Sequence, residues 1–250
     1  MNLNLAGKRV LVTGSSDGIG FHIANAFLLE GCTVAFNART TKKVDFSEIK
    51  NAYFIMGDVS SDVGAAKVVQ KATKTMKGLD LVICNVGSGQ SVPPGQETSK
   101  DWSDSLDKNF YSTVNIVQAA RPYLRDSKGA IVCISSICSL ETIPNAPITY
   151  SVAKAALNTY VKGMSRPLGN EGIRICAVAP GNIMFDGSVW DRKLRSNPEA
   201  VELMLQSEVP LKTLGTPTDI SNIVLFLSSS LSNNITGSVW VSDGGQTRSI

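Results

Sequence analysis

The chain has 250 residues, of which 43% are hydrophobic and 18% charged. That balance fits one large α/β domain and excludes wholesale disorder, collagen and coiled coil. Lys and Arg number 24 against 21 Asp and Glu; the resulting charge of +3 is too slight for a nucleic-acid footprint, and Lys42-Lys43 and Arg192-Lys193 are too short to form a basic patch.

Apolar strand-like runs alternate with longer amphipathic segments. Lys8–Thr13 reads as the first strand and ends at Gly14. Gly18–Glu30 has helical spacing, with Ile19, Ile23, Ala26, Phe27 and Leu29 on one broad face, and Gly31 stops it. Thr33–Phe36 and Tyr53–Met56 read as strands two and three, and Val63–Met76 as a helix capped by Ser60 or Ser61. Leu79–Val86 is near-continuously apolar, as a strand buried on both faces should be. A long helix is expected from about Lys100 to Leu124. Strands are expected at Ala130–Ile134, Ile173–Ala179 and Ser238–Ser242, with helices at Ile148–Gly169 and Thr218–Ser229. This alternation predicts an α/β fold with a doubly wound parallel sheet of about seven strands and helices on both faces.

No composition shift marks a second domain, so residues 1–250 read as one domain. Two segments break the pattern. Ser88–Glu97 reads as a loop. Asn182–Pro210 is a long insertion with amphipathic pieces such as Ala200–Leu205. Both follow strands, and in open α/β sheets the ligand sits beyond the carboxyl ends of strands. Residues 182–210 are therefore expected to cover a substrate.

A single histidine, His22, leaves no His-rich metal site, and no metal is expected. Of the five cysteines, Cys32, Cys84, Cys133 and Cys176 fall in strand-like runs and read as small buried hydrophobes. Cys138 is the one candidate for a reactive thiol. Their odd number and spacing argue against a disulfide framework and for a reducing compartment. Met1–Gly7 is too short and polar for a signal peptide, and no run approaches the ~20 apolar residues of a membrane span. The expectation is a cytoplasmic protein with no membrane or nucleic-acid partner.

The chemistry begins where the first strand meets the first helix. Thr13-Gly14-Ser15-Ser16-Asp17-Gly18-Ile19-Gly20 spaces its glycines as G-x-x-x-G-x-G. Glycine permits the tight turn and a close approach to phosphate, and the new helix points free N–H groups at that phosphate. Its place between strand one and helix one makes it a dinucleotide-binding loop. Strand two ends Asn37-Ala38-Arg39. An acidic residue there would bind the ribose hydroxyls, whereas an arginine accommodates a 2′-phosphate. Arg39 therefore favours NADP, with NAD as the alternative favoured by Asp17. Tyr150 and Lys154, four apart on a helix, share one face. A lysine ammonium would lower the tyrosine pKa and suit it to acid–base work.

These motifs resemble, in order and over almost the whole chain, those of the classical short-chain dehydrogenases/reductases, including the 3-oxoacyl reductases. Thr13–Gly20 looks like the family fingerprint, with Gly14, Ser16, Asp17, Gly18, Ile19 and Gly20 implied at the cofactor. Asp58 and Val59 resemble the adenine contacts. Cys84-Asn85-Val86-Gly87 resembles the family's Asn-Asn-Ala-Gly, and implies Asn85 and Gly87 at the cofactor. Tyr150-Ser151-Val152-Ala153-Lys154 is similar to the Tyr-x-x-x-Lys signature. Pro180-Gly181 and Asp243-Gly244-Gly245 match later landmarks, and Pro180, Gly181 and Ile183 join the implied cofactor set.

The resemblance implies a Rossmann fold and hydride transfer between NADP and a carbonyl or alcohol. It implies catalytic roles for Asn109, Ser136, Tyr150 and Lys154, with Ser135 the rival to Ser136. Lys154 would also bind the nicotinamide ribose, and Asn109 a water that links Lys154 to solvent. Phe185 stands where the family commonly has a threonine that helps hold the carboxamide, and it is left out of the cofactor set. Trp190, Asp191, Arg192, Lys193 and Arg195 in the cover segment suit a polar or anionic substrate, and 3-oxoacyl thioesters and keto-sugars are the classes considered. A homo-oligomer, a tetramer by resemblance, is expected from surplus apolar residues Phe110, Val114, Val117, Leu157 and Val161. The competing reading is a dinucleotide-binding sensor or scaffold without catalysis, favoured only by Cys84 and Phe185.

Overall fold

The structure, a computed structural model, describes residues 2–40 and 49–249. The Lys42-Lys43 pair lies outside the described residues. The sheet has seven parallel strands in the order β3-β2-β1-β4-β5-β6-β7. They are β1 (Arg9–Val12), β2 (Thr33–Ala38), β3 (Ala52–Met56), β4 (Leu81–Cys84), β5 (Ala130–Ile134), β6 (Arg174–Pro180) and β7 (Val239–Ser242). The helices are α1 (Gly18–Leu29), α2 (Asp62–Met76), α3 (Ser99–Leu106), α4 (Ser112–Ser127), α5 (Ile148–Gly169), α6 (Val189–Ser196), α7 (Pro198–Glu208) and α8 (Pro217–Ser228).

Strand side chains alternate between two apolar layers. Leu11, Ala35, Val82 and Ile131 face α2, α4 and α5. Val10, Val12, Val34, Ile83 and Val132 face α1 and α8. Each fully buried Val, Leu or Ile is worth about 1.5–3 kcal/mol, so continuous apolar strands are what a doubly covered sheet requires. The strand order reverses between β1 and β4. This switch point opens a crevice at the carboxyl edge.

Several expected boundaries shift, each for a local reason. Strand four is shorter than Leu79–Val86. At its start, Asp80 turns to Arg9, with Oδ2 accepting from Nε at 2.7 Å and Oδ1 from Nη2 at 2.9 Å. At its end, the Asn85 amide donates to the Thr13 hydroxyl at 3.1 Å rather than to a ladder carbonyl. The long helix from about Lys100 to Leu124 is interrupted by a wide π-helical turn, Asp107–Tyr111, with Asn109 at its centre. Strand five ends at Ile134, so Ser135 and Ser136 lie just beyond it. Cys32 lies one residue before β2 rather than in it.

Only part of the apolar surplus expected on the long helices remains at the surface. Val117, Leu157 and Val161 are all 0% exposed within the chain. Phe110 packs edge-on to Tyr160, with ring centroids 5.8 Å apart. Burial within the chain accounts for Val117, Leu157 and Val161, while Phe110 and Val114 stay partly exposed. Among the described residues no helix is long and apolar enough to cross a membrane.

Candidate active site

The residues that follow β1 to β6 line one cleft of about 1010 Å³. Gly14, Ser16, Asp17, Gly18, Ile19 and Gly20 form its floor beneath β1 and α1. Gly14 and Gly18 have φ of +60° and +55°, which L side chains rarely adopt. The loop is held from both sides. The Ser15 hydroxyl donates to Val12 O at 2.7 Å and accepts from the Asn37 amide at 2.9 Å. Asn85 Nδ2 donates to Gly14 O at 2.9 Å and Thr13 O at 3.2 Å. Asp17 caps α1, accepting from the Gly18 amide at 2.8 Å.

Arg39, Asp58 and Val59 line the far end, after β2 and β3. Asp58 Oδ1 accepts from the Ser60 amide at 2.9 Å and hydroxyl at 2.8 Å. Burial alone would raise this carboxyl. The Ser60 bonds and the nearby Arg39 charge outweigh burial and hold it below the usual range. Asn115 from α4 pins the same loop, donating to Ser60 O at 3.0 Å.

Ser136, Tyr150 and Lys154 meet at the other end, together with Gly87 and Asn109. Ser136 follows β5, whereas Tyr150 and Lys154 sit one turn apart on α5. The Ser136 hydroxyl lies near enough to the Tyr150 phenol to favour its ionised form. Lys154 Nζ donates to Ile134 O at 2.7 Å and lies 5.9 Å from the Tyr150 ring centroid. Gly87 is closely approached: a Cβ there would lie 3.0 Å from Asn109 Oδ1 and 3.2 Å from Lys154 Nζ. Asn109 Oδ1 accepts from the Ser88 amide at 2.8 Å, and its Nδ2 donates to Ser105 O at 3.0 Å. The wide turn thus carries an asparagine that clasps the β4 loop beside the lysine. Pro180, Gly181 and Ile183 line the wall after β6, and Ile183 bridges to Gly215.

The expected lowering of the tyrosine pKa does not hold in this structure. Burial pushes Tyr150 up to about 12, against the lowering effect of the Ser136 bond. Burial likewise brings Lys154 down to about 8, offset in part by Cys133 and Cys84 nearby. The ammonium is turned to Ile134 O, not to the phenol, so desolvation dominates both groups. Cys138 is the least buried cysteine, as expected. Burial raises its thiol pKa, which argues against a reactive thiolate.

Phe185, set aside from the sequence, lines the cleft, and its ring lies against Gly18. Ser188 and Trp190 from the cover segment also reach it. Arg195 does not turn into the cleft: it pairs with Asp191 at 2.9 Å and Asp186 at 3.0 Å. Lys193 stacks 4.3 Å over the Trp190 ring. No group of three or more His, Cys, Asp or Glu is placed to hold a metal among the described residues.

Residues 14–247 match the family model described as enoyl-(acyl carrier protein) reductase. The chain is 34% identical to the 3-oxoacyl-(acyl-carrier-protein) reductase FabG of Chlamydia muridarum, over 98% of this chain and 99% of that protein. Among solved structures it resembles the RhlG/NADP active-site complex of Pseudomonas aeruginosa, with TM-score 0.88 and 26% identity over 98% of both chains. It also resembles a 7α-hydroxysteroid dehydrogenase complexed with NADH and 7-oxo glycochenodeoxycholic acid, with TM-score 0.87 and 27% identity over 99% of this chain and 97% of that one. The chain belongs to the short-chain dehydrogenase/reductase family. It is an oxidoreductase of the NAD(P)-dependent type, acting on a small molecule.

Proposed function

We propose that this protein is an NADPH-dependent reductase that converts a carbonyl substrate to an alcohol. The observation that carries the reading is the convergence of Ser136, Tyr150 and Lys154 at one end of a cleft whose other end holds Arg39. A dinucleotide suits the residues between. The glycine floor leaves backbone bare beneath it, and the bare Gly87 keeps Asn109 and Lys154 close to the wall.

When bound, NADPH supplies the hydride that reduces the carbonyl carbon. The residues of the chain do the rest. Ser136 Oγ–H orients the carbonyl oxygen. Tyr150 Oη donates the proton that oxygen takes up, and a phenol of high pKa is fully protonated for that step at neutral pH. Lys154 would hold the nicotinamide ribose, its charge 5.9 Å from the Tyr150 ring centroid favouring the phenolate left behind, and Asn109 keeps the wide turn against it. Arg39 clamps the 2′-phosphate, and Asp58 and Val59 receive the adenine. Gly14, Ser16, Asp17, Gly18, Ile19, Gly20, Asn85, Pro180, Gly181 and Ile183 complete the cofactor cradle.

The whole chain acts as one domain, with residues 182–210 as a cover over the substrate. The substrate enters beneath Trp190 and Ser188, and the similarity to FabG favours 3-oxoacyl compounds, with keto-sugars as the second class. The protein works in the cytoplasm as a homo-oligomer, a tetramer in the simplest case. Exposed Tyr111, Tyr123 and Val152 along the wide turn, α4 and α5 support this, and a monomer in light scattering would contradict it. The reductase reading is tested by NADPH consumption against a panel of 3-oxoacyl thioesters, keto-sugars and hydroxysteroid ketones. Turnover of at least one class is expected; tight NADPH binding with no turnover of any would favour a sensor.

A further inference from the structure

We infer that Asn158 is a positioning residue that sets the reactive hydroxyl of Ser136, an inference that rests on the proposed reductase reading. Asn158 lies on α5, four residues beyond Lys154 and eight beyond Tyr150, so the three share a face. Its amide is bonded at both ends. Oδ1 accepts from the Ser135 hydroxyl at 2.7 Å, and Nδ2 donates to the Ser139 hydroxyl oxygen at 2.7 Å. The Ser139 hydroxyl in turn donates to the Ser136 carbonyl.

Proton counting gives this chain one direction. Ser139 spends its only proton on the Ser136 carbonyl, so it must accept from Asn158 Nδ2. That fixes the amide orientation and leaves Oδ1 to receive the Ser135 proton. Two consequences follow. The Ser135 hydroxyl is committed to Asn158, which separates it from its rival. The Ser136 hydroxyl accepts from the Cys138 amide at 3.2 Å and keeps its own proton for the Tyr150 oxygen beside it.

The mechanical effect is to tie the turn Ile137–Ser139 to the helix that carries Tyr150 and Lys154. Asn158 is bonded to the serines that flank Ser136, Ser135 before it and Ser139 after it, and adds to the Lys154 Nζ bond to Ile134 O two residues before Ser136. A misplacement near 1 Å can cost about 10²-fold in rate. The Ser136 bond also holds the Tyr150 pKa below what burial alone would give. Loosening the serine should therefore weaken proton transfer and raise the tyrosine's pKa together.

The test compares Asn158→Leu, Ser139→Ala, Ser136→Ala and the Asn158→Leu/Ser136→Ala double variant, using the best carbonyl from the panel. Asn158→Leu and Ser139→Ala are each expected to lower kcat roughly 10- to 100-fold. NADPH affinity should hold, and the alkaline limb of alcohol oxidation should move to higher pH. In the Ser136→Ala background, Asn158→Leu should add no further loss of kcat. Ser139→Ala reads the same chain if Asn158→Leu folds poorly. Full kcat and an unmoved pH profile in a folded Asn158→Leu or Ser139→Ala protein would overturn the inference, as would losses that multiply in the double variant. Wild-type turnover by Ser136→Ala would instead remove that serine from the mechanism and overturn both readings.

Discussion

Replacing Tyr150 by Phe should lower turnover by about 10²–10⁴-fold, the usual contribution of a positioned general acid. The variant deletes one oxygen, so the ring still fills its place beneath the cleft and NADPH should bind as before. Lys154 Nζ keeps its bond to Ile134 O, because that bond does not involve the phenol. The pH dependence has a definite sign. With Tyr150 pushed up to about 12, the phenol is protonated through neutral and mildly alkaline pH. Reduction by the wild type should therefore hold its rate as pH rises from 6 until Lys154, brought down to about 8, begins to lose its charge. Oxidation of the alcohol needs the phenolate and should quicken over the same range. The reverse pattern, or wild-type turnover by Tyr150→Phe, would remove the tyrosine from its role. Stopped assays in both directions, with cofactor binding followed by fluorescence, separate the cases.

The second large effect concerns the other end of the cleft. Arg39→Ala should weaken NADPH binding by roughly 10- to 150-fold and leave NADH nearly untouched. A charge-assisted guanidinium–phosphate bond is worth about 1.5–3 kcal/mol, and each 1.4 kcal/mol is about tenfold. Arg39 lies near Asp58, whose carboxylate already shares its field. The net gain from the phosphate is therefore smaller than for an isolated arginine. Adding Ala38→Asp should turn preference towards NADH, through repulsion of the 2′-phosphate and a new bond to the ribose. Titration of both cofactors decides it. Equal losses for NADPH and NADH would mean that Arg39 supports the loop or the adenine and does not select the phosphate.

Much of this architecture was legible in the residues. Alternating apolar and amphipathic runs specify a parallel sheet because strands covered on both faces must be apolar throughout. The glycine spacing, Ser136, Tyr150 and Lys154 then fall at the carboxyl edge because each follows a strand or faces one from α5. What was not legible depends on tertiary contact. The wide turn at Asp107–Tyr111 has no period of its own, and Asn109 becomes visible as a clasp only when Ser88 is beside it. Val117, Leu157 and Val161 read as surplus because helical periodicity does not show that the sheet and the neighbouring helices together bury them. The tyrosine pKa was misjudged because the four-residue spacing gives proximity, not the direction of the Lys154 ammonium. Asn158 and Asn115 carried no motif. A polar side chain at helical spacing from Tyr150 and Lys154 was the available signal for Asn158.

The central claim is that hydride passes directly between a nicotinamide held along this cleft and a carbonyl held by Ser136 and Tyr150. The measurement closest to it is transfer of deuterium from NADPH labelled at C4 of the nicotinamide, with the alcohol product analysed by mass spectrometry. The account predicts that the label on one face of C4 appears on the carbinol carbon, and that Tyr150→Phe slows the transfer without diverting it. Label that stays in the oxidised cofactor whichever face carries it, or that is lost to water, would contradict it.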